Sequence, residues 1–183
     1  MEEVEITELA SLTHLYKIIP GQNLQKLRIL KISGCENLEF LLTLSMVKTL
    51  EELTVSNCDK VKVIVESERG EATDNETVDT KLQKLKLQNL PNLKSFCSAK
   101  YCFIFRSLTC MEIKECPQLE FFCVGDSFTP SLEFVCMNQS VQYLKSGLNT
   151  IIQNEFRERV RYNSPDFLLL LTPSFLFTIL CIS

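Results

Sequence analysis

Histidine is almost missing from this chain of 183 residues: His14, set between Leu12 and Leu15, is the single one. A Ser-His-Asp or Cys-His arrangement would have to use it, and no nucleophile motif accompanies it. It reads as a structural histidine, partly buried or at the surface. Glycine is scarce too, with five residues scattered at 21, 34, 70, 125 and 147, so no glycine-rich loop is present to cradle a phosphate. There is no excess of positive charge. The net charge is −4, which lacks the basic footprint of a nucleic-acid binder. Paired C-x-x-C spacing is absent among Cys97, Cys102, Cys110, Cys116 and Cys123, which argues against zinc. Met1 runs straight into Glu2 and Glu3, a start without the basic and apolar regions of a secretory signal. No catalytic, cofactor or metal site is legible.

What is present is periodicity. Leu24, Leu27, Leu30, Ile32, Cys35, Leu38 and Leu41 are apolar, with period two only around Lys31. Alternation there predicts a short strand, because successive side chains of a strand point to opposite faces. The regular threes on either side fit a coil that turns a corner every few residues. The unit recurs as Val47, Leu50, Leu53, Val55, Cys58, Val61 and Ile64. It recurs again as Leu82, Leu85, Leu87, Leu90, Leu93 and Phe96, and as Phe105, Leu108, Met111, Ile113, Cys116, Leu119 and Phe122. A first copy holds Met1, Val4, Ile6, Leu9, Leu12 and Leu15, and a worn sixth begins at Leu132 with Val135 and Met137. Equivalent positions 9, 35, 58, 90 and 116 are 26, 23, 32 and 26 residues apart. One unit cannot bury its own apolar face, so stacked copies are expected to share a continuous core.

The repeat explains the cysteines. Cys35, Cys58 and Cys116 share one repeat position and are expected to be small buried hydrophobes. Their odd total of nine and the lack of a signal favour a reducing, cytoplasmic location over disulfides. A repeat domain is expected over 1–146, and 147–183 should hold a helix and an apolar tail. The first copy starts in mid-pattern without a polar cap, as though earlier repeats preceded it. Residues 66–80 (ESERGEATDNETVDT) form an acidic insertion with no apolar periodicity, which predicts a mobile loop. Its carboxylates lack the order of an EF-hand calcium loop. Spacing from Val141 to Val160 suits an amphipathic helix, weakened at Gly147 so that it starts after that residue, and suits closure of the open end. Residues 167–182 (FLLLLTPSFLFTILCI) are uncharged, but they fall short of the ~20 residues a spanning helix needs. A tail anchor is one reading; a truncated or misread gene end is favoured.

If the strands stack in parallel, their outward side chains form columns. The central one is Glu5, Lys31, Thr54, Lys86 and Glu112; its flanks are Glu3, Ile29, Glu52, Lys84 and Cys110, and Thr7, Ser33, Ser56, Gln88 and Lys114. Concave faces of solenoids bind partners. The candidate protein-binding residues are therefore Glu5, Lys31, Ser33, Glu52, Thr54, Ser56, Lys84, Lys86, Gln88, Glu112 and Lys114. Opposite charges on adjacent strands, Glu5 with Lys31 and Lys86 with Glu112, equally suit lateral pairing within the sheet. No aromatic residue sits among the fifteen positions, whereas interface hot spots favour Trp, Tyr and Arg. A tight partner on this face alone is not expected.

The C-x-x-L repeats, the string NLPNLKSF at Asn89–Phe96 and the acidic insertion before it resemble the leucine-rich-repeat region of plant coiled-coil NB-LRR disease-resistance proteins. ECPQLEFF at Glu115–Phe122 and LNTIIQ at Leu148–Gln153 resemble strings near the end of that region. The resemblance covers Met1 to Arg161. It implies an α/β leucine-rich-repeat solenoid, curved, with a parallel sheet on its concave face, five to six coils and a C-terminal helix. It further implies a non-enzymatic module that recognises a pathogen effector or a guarded host protein, or restrains the receptor's own nucleotide-binding switch. The chain shows neither a P-loop nor coiled-coil heptads, so it resembles a fragment of such a receptor. A membrane-tethered adaptor or decoy and a ubiquitin-ligase substrate adaptor are the alternatives.

Overall fold

A computed structural model describes residues 2–15, 26–66, 76–138 and 140–162. Each apolar pair of the repeat forms a strand. These are β1 (Glu3–Thr7), β2 (Ile29–Ser33), β4 (Glu52–Ser56), β7 (Lys84–Gln88), β10 (Cys110–Lys114) and β12 (Phe134–Met137). They stack as one sheet in the order β1-β2-β4-β7-β10-β12, all parallel, and Leu30 lies opposite Leu53, which lies opposite Leu85. The fixed place of the apolar pair within each copy of the motif causes this register. A one-residue slip would turn every inward leucine to water. Ile6, Leu30, Ile32, Leu53, Val55, Leu85, Leu87, Met111, Ile113, Val135 and Met137 are all buried.

The chain must leave each strand sharply to turn inward. It does so through one left-handed residue directly after the strand: Glu8, Gly34, Asn57, Asn89, Glu115 and Asn138, with φ between 48° and 67°. Gly, Asn and Asp adopt this conformation at least cost. Glycine or asparagine holds four of the six sites, and Glu8 and Glu115 hold strained ones. The backbone N–H of Gly34, Asn57 and Asn89 each donates to the strand-end carbonyl of the next coil, Ser56, Gln88 and Lys114, at 3.0–3.1 Å. At Glu115 the partner changes: its amide donates to the Asn138 side-chain oxygen at 3.0 Å.

Next in each coil comes the cysteine position. Cys35, Cys58 and Cys116 are buried free thiols, and Leu90 is buried at the same position in the coil that lacks a cysteine. The Cys58 and Cys116 thiols donate to the Ser56 and Lys114 carbonyls at 3.2 and 3.3 Å. Leu9 departs from the expected pattern and is 40% exposed. It belongs to the edge coil, so among the described residues no further coil covers its outer side.

Each coil returns along the back of the molecule. There β3 (Phe40–Leu42), β5 (Val63–Val65) and β8 (Ser95–Cys97) form one parallel sheet. Beside it lie β6 (Thr77–Asp79), β9 (Cys102–Ile104) and β11 (Ser127–Phe128). After β3, α1 (Leu44–Thr49) packs against β6 and buries Met46 and Val47. The expectation of a mobile loop over 66–80 is therefore corrected at its end. Thr77–Asp79 is strand β6, because Val78 finds a buried place and pairs in register with Phe103. Residues 67–75 lie outside the described residues. In the wider coils the core is filled by rings: Phe96 stacks on Phe122 at 4.7 Å, and Phe103 on Phe105 at 5.6 Å.

The far end closes differently. After β12 the chain reverses into β13 (Ser140–Tyr143), which pairs antiparallel with β12 and is the seventh strand of the concave sheet. Then Gly147, at φ 84°, starts α2 (Leu148–Tyr162). The helical spacing read from Val141 thus divides. Val141 and Tyr143 alternate with Gln142 along a strand, and the helix begins only after the glycine. Leu148, Ile151 and Ile152 enter the core. The Asn149 side chain accepts from the Phe122 and Cys123 amides at 2.8 and 3.1 Å and donates to the Cys123 carbonyl at 2.8 Å. Just upstream, Gly125 admits no larger residue, since a Cβ there would meet the Tyr101 carbonyl oxygen at 2.1 Å. The apolar tail, 163–183, lies outside the described residues. Among those described, no helix is long and apolar enough to cross a membrane.

Candidate protein-binding face

The register places the outward columns side by side. Glu5 lies opposite Lys31, Lys31 opposite Thr54, Thr54 opposite Lys86 and Lys86 opposite Glu112. Glu3, Ile29, Glu52, Lys84 and Cys110 form one flank, and Thr7, Ser33, Ser56, Gln88 and Lys114 the other. The sheet therefore brings all eleven candidate residues onto one surface.

Most of the charges there are paired laterally. Lys31 bonds Glu3 at 2.8 Å, reaching diagonally rather than to the directly opposite Glu5. Lys84 bonds Glu52 at 2.7 Å. Glu112 receives Lys114 and, at 3.4 Å, Lys86. The hydrogen bond from Lys114, followed by that from Lys86, holds the Glu112 carboxyl below the usual carboxylate range. At the rim the Arg28 guanidinium grips Glu51 through Nε and Nη2 at 2.8 and 2.7 Å, which lowers the Glu51 carboxyl likewise. The Ser56 hydroxyl donates to the Ser33 hydroxyl oxygen at 3.0 Å. Lateral pairing thus accounts for much of the charge pattern. It also leaves a gradient. The outward positions of β1, β2 and β4 hold three glutamates (Glu3, Glu5, Glu52) and Lys31, whereas β7 and β10 hold three lysines and Glu112.

The sequence columns stop at β10, but the sheet does not. On β12 and β13 the outward side chains are Phe134, Cys136, Val141 and Tyr143, and Glu112 lies opposite Cys136, which lies opposite Val141. Phe134, Val141 and Tyr143 are 39%, 52% and 65% exposed, with the two rings edge to face at 6.3 Å. The concave surface therefore ends in an aromatic patch that the fifteen sequence positions lacked. A signal existed: S-V-Q-Y alternates with period two, but it sits inside a helical spacing that claimed it. A cleft of about 780 Å³ adjoins the other end of these strands, lined by Lys114, Glu115, Met137, Asn138, Ser140 and Glu155.

Other parts of the molecule offer less chemistry. His14 Nδ1 lies 2.8 Å from the Thr13 hydroxyl, and its ring is half-buried away from the concave sheet. Burial pushes the Cys58 and Cys116 thiols up to about 11, so they are poor nucleophiles at neutral pH. Among the described residues no group of three or more His, Cys, Asp or Glu side chains could hold a metal ion.

A parallel concave ladder, short return strands and recurring L-x-x-L-x-L spacing define a leucine-rich-repeat solenoid. Residues 2–124 match the family described as plant disease resistance protein RPS2-like, leucine-rich repeats. The chain belongs to that family, and the match ends just before β11. Searches of curated proteins and of solved structures gave no match.

Proposed function

We propose that this chain is the protein-binding repeat module of a plant intracellular immune receptor. Its concave face recognises a pathogen effector or a guarded host protein, or holds the receptor's nucleotide-binding switch in its resting state. It binds protein and catalyses nothing, uses no cofactor and works in the cytoplasm. The carrying observation is the in-register concave sheet, within the family-matched region, that gathers Glu5, Lys31, Ser33, Glu52, Thr54, Ser56, Lys84, Lys86, Gln88, Glu112 and Lys114 on one surface. Solenoids use such extended surfaces for protein recognition.

The test is association in plant cells between the intact chain and the nucleotide-binding portion of a coiled-coil disease-resistance receptor. Co-precipitation is expected, and it should weaken for Lys86→Glu combined with Lys114→Glu. An intact chain that binds neither this portion nor any candidate effector would overturn the reading. So would association that the double charge reversal leaves unchanged.

A further inference from the structure

The end of the concave sheet differs from its beginning in ways that point to an occupant. Edge strands expose unpaired amides and carbonyls, and folded proteins commonly guard them with charge. The edge strand β1 carries Glu3 and Glu5, whereas β13, Ser-Val-Gln-Tyr, carries no charge. The register also fixes where its backbone points. Leu144 donates to the Glu133 carbonyl at 2.9 Å, so Glu133–Leu144, Val135–Gln142 and Met137–Ser140 are the hydrogen-bonded pairs. Val141 and Tyr143 fall between them, which turns their amides away from β12 to the open edge. The same two residues present their side chains beside Phe134 on the concave face. Backbone donors without a partner among the described residues and exposed aromatic area thus coincide on one strand.

We infer that β12 and β13 are the anchor of the protein-binding face, and that the occupant is an extended segment of a partner protein added as a strand beside β13. The segment sets an apolar side chain against Phe134, Val141 and Tyr143. Its flank, crossing β13 and β12 over the concave face, carries carboxylates toward β10 and β7, where Lys84, Lys86 and Lys114 outnumber their partners Glu112 and Glu52. Main-chain bonds to an edge supply affinity, and alternate side chains supply specificity. Aromatic residues are the commonest anchors at such surfaces. This inference rests on the protein-binding reading above and adds the place and chemistry of the contact.

The test is selection of peptides from a random-sequence phage-displayed library on the intact chain, followed by affinity measurement against variants. Selected peptides are expected to hold a strand-forming stretch with apolar residues at alternate positions, flanked by acidic residues. Their binding should fall about tenfold or more for Val141→Pro and for Tyr143→Ser. Proline is tolerated where a strand N–H faces outward, so Val141→Pro should melt close to the parent. Tyr143→Ser, which changes an exposed side chain only, keeps the test decisive if the proline variant does not fold. Three results would overturn the inference: no peptide selected, no acidic enrichment, or equal binding to parent and variants. A parent dimer that Val141→Pro dissociates would also overturn it, because the edge would then belong to a second copy. If these fail while the receptor's nucleotide-binding portion still co-precipitates in a Lys86- and Lys114-dependent way, the proposed function survives without this anchor.

Discussion

The coils from β1 to β10 and the closing segment from β12 to α2 solve the same problem by different means. In the coils, each apolar side chain is covered by its equivalent in the next turn, and the same left-handed turn position and ladder bond recur from β1 to β10. Such stability is close to a sum of repeat and neighbour terms. The closing segment has no next turn. It reverses β13 and covers the open end with Leu148, Ile151 and Ile152, and a single side chain, Asn149, satisfies four backbone groups of the preceding coil. Redundancy protects the first region; the second depends on a few contacts that nothing else duplicates.

The comparison is sharpened most strongly at the phenylalanines. Phe96 touches Phe103, Phe105 and Phe122 and is fully buried. Phe96→Ala should cost ~3–5 kcal/mol, read as a lower urea midpoint. Next comes Asn149→Ala, which strands the Phe122 and Cys123 amides. At ~1–3 kcal/mol for each buried donor left unpaired, it should release the closing segment before the coils. Hydrogen exchange is the measurement: faster exchange at Phe122 and Cys123 with β2 and β4 unchanged supports the comparison, and uniform acceleration breaks it.

A smaller effect of opposite sign is expected at the turn. Glu115 sits at φ 53°, where asparagine serves in other coils. Glu115→Asn should stabilise by ~0.5–1 kcal/mol, seen as a higher melting temperature. An unchanged or lower value would show that the Glu115 side chain has a role in the adjoining cleft.

The smallest effect is in pH. Glu112 and Glu51 have carboxyls depressed by Lys114 and Arg28 respectively, so their contribution is complete above the unfolded value of ~4.3. It is lost as pH falls through the lower folded values. Both sites are open to solvent, so the change is small. Melting temperature between pH 5 and pH 3 should fall slightly less in Glu112→Gln than in the parent. Equal slopes would remove Glu112 from the account.

The legible part of the site was the part with a repeat. Columns from Glu5 to Glu112 followed from the alternation of each strand and from the recurrence of one motif, whose equivalent positions align although the steps between copies differ. The left-handed turn was half legible: Gly34, Asn57, Asn89 and Asn138 carry its chemistry, but Glu8 and Glu115 conceal it. Lys31 illustrates the limit, since its choice of Glu3 over the opposite Glu5 depends on side-chain reach across the twisted sheet. Val78 escaped notice because one valine in an acidic stretch has no period.

By itself the sequence determined which side chains point inward, the parallel register, the buried cysteine position and the class of repeat. These follow from short-range patterns repeated until they agree. Only the tertiary structure decided that Ser140–Tyr143 reverses beside β12, that the back strands form two ladders and that Phe134 and Tyr143 meet on the concave surface. Each of those depends on contacts between unlike segments made once. A pattern that occurs once cannot be told from chance until the chain has folded around it.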